Sequence, residues 1–228
     1  MLTANHVETT SGQSFTFDGL DSYALDTGFA PTQVAAGVDL KVFRLTTTPT
    51  VGAVTLSSGG ELVAPATMVG WGRGRDPTIP VNTATVTWGD LSTVAKRWGL
   101  NTPQDLHLVS YDSYSFTGIR TILGSAAGDP AGLGDDEAAA TQYDSGSGLF
   151  QYLGGQWRLI GVAAAVEVNG SSFFGDDSVS GDDRGDFNYF VHINSYRPEI
   201  LALIPEPSSA LLLAGGLGPL LRRRVKRD

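Results

Sequence analysis

Short segments of alternating apolar and polar residues, punctuated by glycine-rich turns, recur along the whole chain, and this pattern confines it to β-structure. The clearest is Val38-Asp39-Leu40-Lys41-Val42-Phe43-Arg44-Leu45, which predicts a strand with Leu40, Val42 and Arg44 on one side. Further strands are expected at 14–17, 61–71, 83–88, 105–111 and 157–166, and a last strand followed by a short helix across 189–200. The 29 glycines supply the turns, and a 41% hydrophobic content in 228 residues is enough for a real core. Residues 73–82, with Pro77, Pro80, Gly74 and three charges, read as a linker between two β-units. Long loops are expected at 124–140, rich in glycine, alanine and acids, and at 169–186, rich in glycine, serine and aspartate. No internal repeat of fixed period is present.

Charge and composition narrow the function classes. The formal net charge is −9, and it is unevenly spread: residues before Pro205 carry 10 basic against 22 acidic side chains, whereas Arg222, Arg223, Arg224, Lys226 and Arg227 crowd the end. An acidic body lacks the basic footprint of a nucleic-acid binder, so no nucleic-acid partner is expected. With no cysteine there is neither a disulfide nor a thiol nucleophile, and three histidines (His6, His107, His192) make a multi-histidine metal centre a poor fit. The acidic 169–186 segment reads as a solvated loop rather than a Ca²⁺ site, so no metal and no cofactor are expected.

The stretch with chemical potential is Tyr143-Asp144-Ser145-Gly146-Ser147-Gly148. A serine between an acid and a glycine, on a turn running into an apolar strand, exposes its hydroxyl among small neighbours whose N–H groups are free to meet an oxyanion.

Three separated pieces give this turn partners. Leu2-Thr3-Ala4-Asn5-His6 resembles the Leu-Thr-Ala-Ala-His segment of chymotrypsin-like (trypsin family) serine proteases. Val38 to Leu45 resembles the strand that carries their buried aspartate, and Asp144-Ser145-Gly146-Ser147 their nucleophile turn. Gly70-Trp71-Gly72 and Leu159-Ile160-Gly161-Val162 match two structural segments of the same family, and His, Asp and Ser occur in the chymotrypsin order. The resemblance covers residues 2–200. It implies an all-β fold of two six-stranded antiparallel β-barrels, the first incomplete, with a short hydrophobic helix at the C-terminus. It also implies roles: Ser145 as nucleophile, His6 as general base, Asp39 as the carboxylate that orients the imidazole, and the backbone N–H groups of Tyr143 and Ser145 as the oxyanion hole. Asp18, Asp21 and Asp26 compete with Asp39, but none opens an alternating apolar strand; His107 and His192 fall outside the triad.

Departures from the family carry expectations of their own. Tyr143 stands where relatives have a glycine, in a turn whose backbone a β-carbon disfavours. Asp144 has no evident partner, because the segment that supplies an N-terminal amine in relatives is missing ahead of His6. Met1 to Val7 is no signal peptide, and the chain is expected to be truncated within its first barrel. Around the substrate, Ala139 replaces the acid of trypsin-like members and Val166 a glycine; with Ala164 they imply a shallow neutral pocket for small or medium apolar side chains of a protein or peptide substrate.

The tail, Pro205-Glu206-Pro207, an apolar run over 208–221 and Arg222-Arg223-Arg224, resembles a PEP-CTERM sorting signal. That resemblance implies export in a Gram-negative bacterium, transient membrane anchoring through 208–221, processing by an exosortase, and display at the cell surface or release. The expected domains are 1–75 (remnant of the first barrel), 76–203 (second barrel with the nucleophile) and 204–228 (sorting segment). The leading expectation is an exported serine endopeptidase; the alternatives are an inactive protease-like surface protein that binds or builds matrix, and a purely structural β-protein whose motifs are fortuitous.

Overall fold

The computed structural model describes residues 1–10, 13–16, 21–78, 88–123, 133, 136–167 and 187–204. Within them the fold is all-β with one short helix: β1 (Leu2–Thr3), β2 (Ser14–Thr16), β3 (Ser22–Ala24), β4 (Thr32–Gln33), β5 (Lys41–Val42), β6 (Thr55–Leu56), β7 (Ala66–Gly70), β8 (Arg97–Asn101), β9 (Asp105–Tyr111), β10 (Tyr114–Ile122), β11 (Gly148–Leu153), β12 (Gln156–Val166), β13 (Phe187–His192) and α1 (Arg197–Leu203). The predicted strand at 83–88, most of the loop at 124–140, the loop at 169–186 and the tail from 205 lie outside the described residues, apart from Trp88, which bridges Arg75. No helix among the described residues is long and apolar enough to cross a membrane.

The first part of the chain forms a three-stranded sheet in the order β1-β5-β4 and a separate hairpin, β2-β3. The remainder forms one eight-stranded sheet in the order β8-β7-β11-β12-β13-β10-β9, with β6 lying parallel to β12. Among the described residues neither closes into a barrel of six strands. Asn101, the last residue of β8, is held by its side chain, whose Nδ2 donates to the carbonyls of Ile122 (3.0 Å) and Ala138 (2.8 Å). A buried side chain, not a backbone ladder, spans the gap from β8 to the end of β10. The change of sheet falls at β6 and β7, ahead of residue 75, and the expected linker is tied down in its first half. Arg73 N donates to Gln142 O (3.0 Å), Thr141 Oγ1 to Arg73 O (2.9 Å) and Gly74 N to Thr93 O (3.2 Å).

Strand β12 explains the continuous apolar run Leu159–Ala164. It is paired on both edges, by β11 and β13, and carries two bulges, one where Leu149 and Phe150 change register and one between Ala163 and Ala165. Each bulge rotates the following side chains. Leu159, Val162 and Ala164 consequently join one apolar cluster with Val38, Leu40, Val42, Phe116 and Val191, while Ile160, Ala163 and Val166 join another with Met68, Ile119, Leu149 and Phe190. Fully burying each large side chain stabilises by roughly 1.5–3 kcal/mol. The first cluster draws on both sheets, so one apolar core joins the His6 part of the chain to the Ser145 part.

The strand expected over 38–45 shrinks to Lys41–Val42. Residues ahead of it turn on themselves instead, with Val38 N donating to Ala35 O (3.1 Å) and Leu40 N to Val38 O (2.8 Å). Alternation still buries Val38, Leu40 and Val42, but Asp39, Lys41 and Phe43 are buried as well. Arg44 is exposed, paired with Asp26 at 2.7 Å.

Candidate active site

His6 lies in a turn just after β1, closed by Val7 N donating to Ala4 O (3.2 Å). Asp39, 0% exposed, holds that turn twice: His6 N donates to Oδ1 at 2.9 Å, and His6 Nδ1 lies 2.7 Å from Oδ2. A third donor reaches the same carboxylate, the hydroxyl of Tyr111 at the end of β9, which donates to Oδ2. Burial alone pushes the Asp39 carboxyl up, but the hydrogen bonds from the His6 ring, the Tyr111 hydroxyl and the His6 N–H outweigh it and hold the group below the usual range. An ionised carboxylate only accepts, so Nδ1 carries a proton, and in the neutral imidazole Nε2 keeps its lone pair. That is the tautomer a general base needs.

Neighbours fix the turn from both sides. Asn5 Nδ2 donates to the Tyr114 hydroxyl at 3.2 Å, and the buried Lys41 ammonium donates to the carbonyl of Val7. Burial lowers the Lys41 pKa, against the pull of Asp39 and Glu8.

The serine turn sits against the same segment. A β-carbon on Gly146 would lie 2.2 Å from Thr3 Oγ1 and 3.5 Å from Ala4 N, so the residue after Ser145 abuts the strand that leads into His6. Gly146 N donates to Ala163 O, and Ala163 N to Ser147 O, both at 2.8 Å, which locks the turn to β12. The structure thus brings His6 and Asp39 into direct contact, and it sets Gly146, the residue after Ser145, against Thr3 and Ala4. Among the described residues no hydrogen bond joins His6 Nε2 to Ser145 Oγ.

Backbone accounting in the turn singles out two groups. Asp144 N donates to Thr141 O, Gly146 N to Ala163 O and Ser147 N to Asp144 O. The N–H groups of Tyr143 and Ser145, the expected oxyanion donors, make no hydrogen bond to any described residue. Tyr143 holds φ at +79°, the left-handed region that glycine fills freely and a β-carbon disfavours. Its ring, 52% exposed, lies under the guanidinium of Arg73 at 5.4 Å.

Asp144, expected to lack a partner, has several. Its Oδ2 accepts from Thr141 N (2.8 Å) and Thr141 Oγ1 (2.9 Å), and the backbone N–H groups of Gly72 and Trp71 face the carboxylate too. Burial raises its pKa despite these bonds. The Gly-Trp-Gly motif is what admits it, because a β-carbon on Gly70 would stand 2.1 Å from Asp144 Oδ1.

The remaining expectations are placed as follows. Ala139 is half-buried, Ala164 is buried in the first apolar cluster, and Val166 packs against the second, so the two β12 residues diverge at the bulge. Asp26 is engaged by Arg44 and Gly28 N, Asp21 lies beside Tyr23, and Asp18 is outside the described residues. His107 is exposed on β9. His192 is buried with its Nδ1 2.8 Å from Ser195 Oγ and its Nε2 3.6 Å from Glu61 Oε1, away from the His6 contacts. Tyr111, Tyr114, Lys41 and Thr141 were not anticipated as site residues. The one sequence signal for the tyrosines is their position flanking the two-residue turn Asp112-Ser113, where Asp112 takes φ +47°.

No protein-family model matches this chain, and no curated protein matches it. Among solved structures it is similar to the NS6 protease from murine norovirus 1, with 14% identity and a TM-score of 0.46 over 84% of this chain and 79% of that one. It is similar, too, to a chimeric, inactive mutant of the murine norovirus NS6 protease, again at 14% identity and a TM-score of 0.46, covering 91% of this chain and 84% of the other.

Proposed function

We propose that this chain is a serine endopeptidase of the chymotrypsin-like type. The observation that carries the reading is the double grip of buried Asp39 on His6, with the Ser145 turn seated against the segment that leads into that histidine. In the proposed reaction Ser145 Oγ attacks the scissile carbonyl while His6 Nε2 takes its proton. Asp39 stabilises the imidazolium that forms, and the N–H groups of Tyr143 and Ser145 receive the oxyanion. His6 then protonates the leaving amine, and water, activated by the same imidazole, releases the acyl group. Substrate approach closes the gap between base and nucleophile, as is usual for catalytic hydrogen bonds that tighten only in the complex. The substrate side chain is small or medium and apolar, with Ala139, Ala164 and Val166 around it. Export and exosortase-dependent sorting through 204–228 belong to the same proposal and rest on the sequence of the tail.

A fluorophosphonate probe tests the reading. Labelling of the wild type that disappears in Ser145→Ala is the expected result; a well-folded wild type that stays unlabelled would sink it. A second reading, a protease-like surface protein that binds without cleaving, draws on Tyr143 in its left-handed conformation and on the missing His6–Ser145 hydrogen bond. It takes the lead if labelling fails.

A further inference from the structure

We infer that Tyr111 is a positioning residue of the candidate triad: its hydroxyl anchors the Asp39 carboxylate and sets how strongly that carboxylate holds His6. The inference rests on the peptidase reading above for its catalytic consequence, but not for its geometry. Oδ2 of Asp39, itself fully buried, is shared by two donors, His6 Nδ1 and the Tyr111 hydroxyl. Two donors on one oxygen compete for its electron density, so the phenol moderates the bond to the imidazole while denying the carboxylate any other rotamer.

The tyrosine is itself rigidly held. Its ring meets Phe116 edge-on at 6.0 Å and Tyr114 at 5.5 Å, and its hydroxyl also lies 3.4 Å from Ala164 O on β12. The β9–β10 hairpin that carries it makes two more bonds to the His6 part of the chain. Ser115 N donates to Gly37 O at 2.7 Å, and the Tyr114 hydroxyl accepts from Asn5. Residues 111, 114 and 115 thus clasp residues 39, 5 and 37, so the large sheet positions a histidine and an aspartate that belong to the small one.

The test is Tyr111→Phe in the full chain, read by the nitrogen NMR resonance of His6 Nδ1 and by the rate of fluorophosphonate labelling. Removing the competing donor leaves Oδ2 a stronger acceptor, so the Nδ1 resonance is expected to move downfield. Labelling should slow roughly tenfold, as the carboxylate loses one charge-assisted hydrogen bond. A folded variant whose Nδ1 resonance stays in place overturns the inference, because a tyrosine that serves packing alone would not perturb it. If Tyr111→Phe does not fold, fluorotyrosine at the same position keeps the ring and strengthens the donor; an upfield movement supports the inference and no movement overturns it. A wild type that resists the probe defeats the peptidase reading alone, and the Nδ1 resonance still decides what Tyr111 does.

Discussion

Gly72 and Asp144 stand so close that a β-carbon on the glycine would lie 2.3 Å from Oδ2 and 2.5 Å from Cγ of the carboxylate. Both residues are buried, so neither can swing away. Gly72→Ala should destabilise by about 1–3 kcal/mol, the usual cost of overpacking. It should also loosen the Ser145 turn enough to slow probe labelling. Chemical denaturation and labelling rates of the variant check both; an alanine accepted without loss would mean that Asp144 does not occupy this cradle.

Tyr143 offers a test of backbone strain separate from side-chain contacts. Tyr143→Ala and Tyr143→Gly both remove the ring that Arg73 covers, but only glycine fits φ +79° at no steric cost. The glycine variant should therefore be the more stable of the two by about 1 kcal/mol in urea unfolding. Equal stabilities would show that the left-handed turn is not kept in solution.

Asp39→Asn places an amide where three donors converge: His6 N, His6 Nδ1 and the Tyr111 hydroxyl. An amide oxygen cannot accept all three, and its NH₂ faces the imidazole as a donor, which favours the wrong tautomer. Probe labelling should fall by roughly 10⁴, the loss typical of this exchange in a Ser-His-Asp site. A fall of less than tenfold would remove Asp39 from the triad.

Burial lowers the pKa of His192, and this outweighs Glu61, whose carboxylate at 3.6 Å lies beyond good hydrogen-bonding range. The folded protein thus resists protonating His192, while the unfolded chain takes up the proton near its ordinary value of about 6.5. Stability is fully present above that pH and should fall below it, by at most about 1.4 kcal/mol per pH unit, until the lowered folded value is reached. Thermal unfolding between pH 7 and 5 measures it, with His192→Gln as the reference; parallel curves for the two proteins would contradict this.

Much of the candidate site is legible in the chain. Leu-Thr-Ala-Asn-His6, the alternation around Asp39 and the Asp144-Ser145-Gly146 turn identify their residues by local pattern, and β9 has the bounds that its alternation predicts. Strands β8 and β10 are not legible in the sequence, because Gly99 and the Ser, Thr and Gly residues of Tyr114–Ile122 break their apolar rhythm. Their place is decided by pairing with β7, β9 and β13.

Sequence by itself determined the all-β class, the order of the three candidate residues and the conflict between Tyr143 and its turn, since each is a property of neighbouring residues or of a local backbone conformation. Tertiary structure alone decided that Asp144 is satisfied by Thr141, Trp71 and Gly72, that the bulges of β12 send Ala164 and Val166 into different clusters, and that Tyr111 reaches Asp39. The physical reason is separation along the chain. Asp39 and Tyr111, 72 positions apart, are brought together by a hairpin laid over the small sheet, and no local rhythm encodes where a hydroxyl at the end of a strand will find its acceptor.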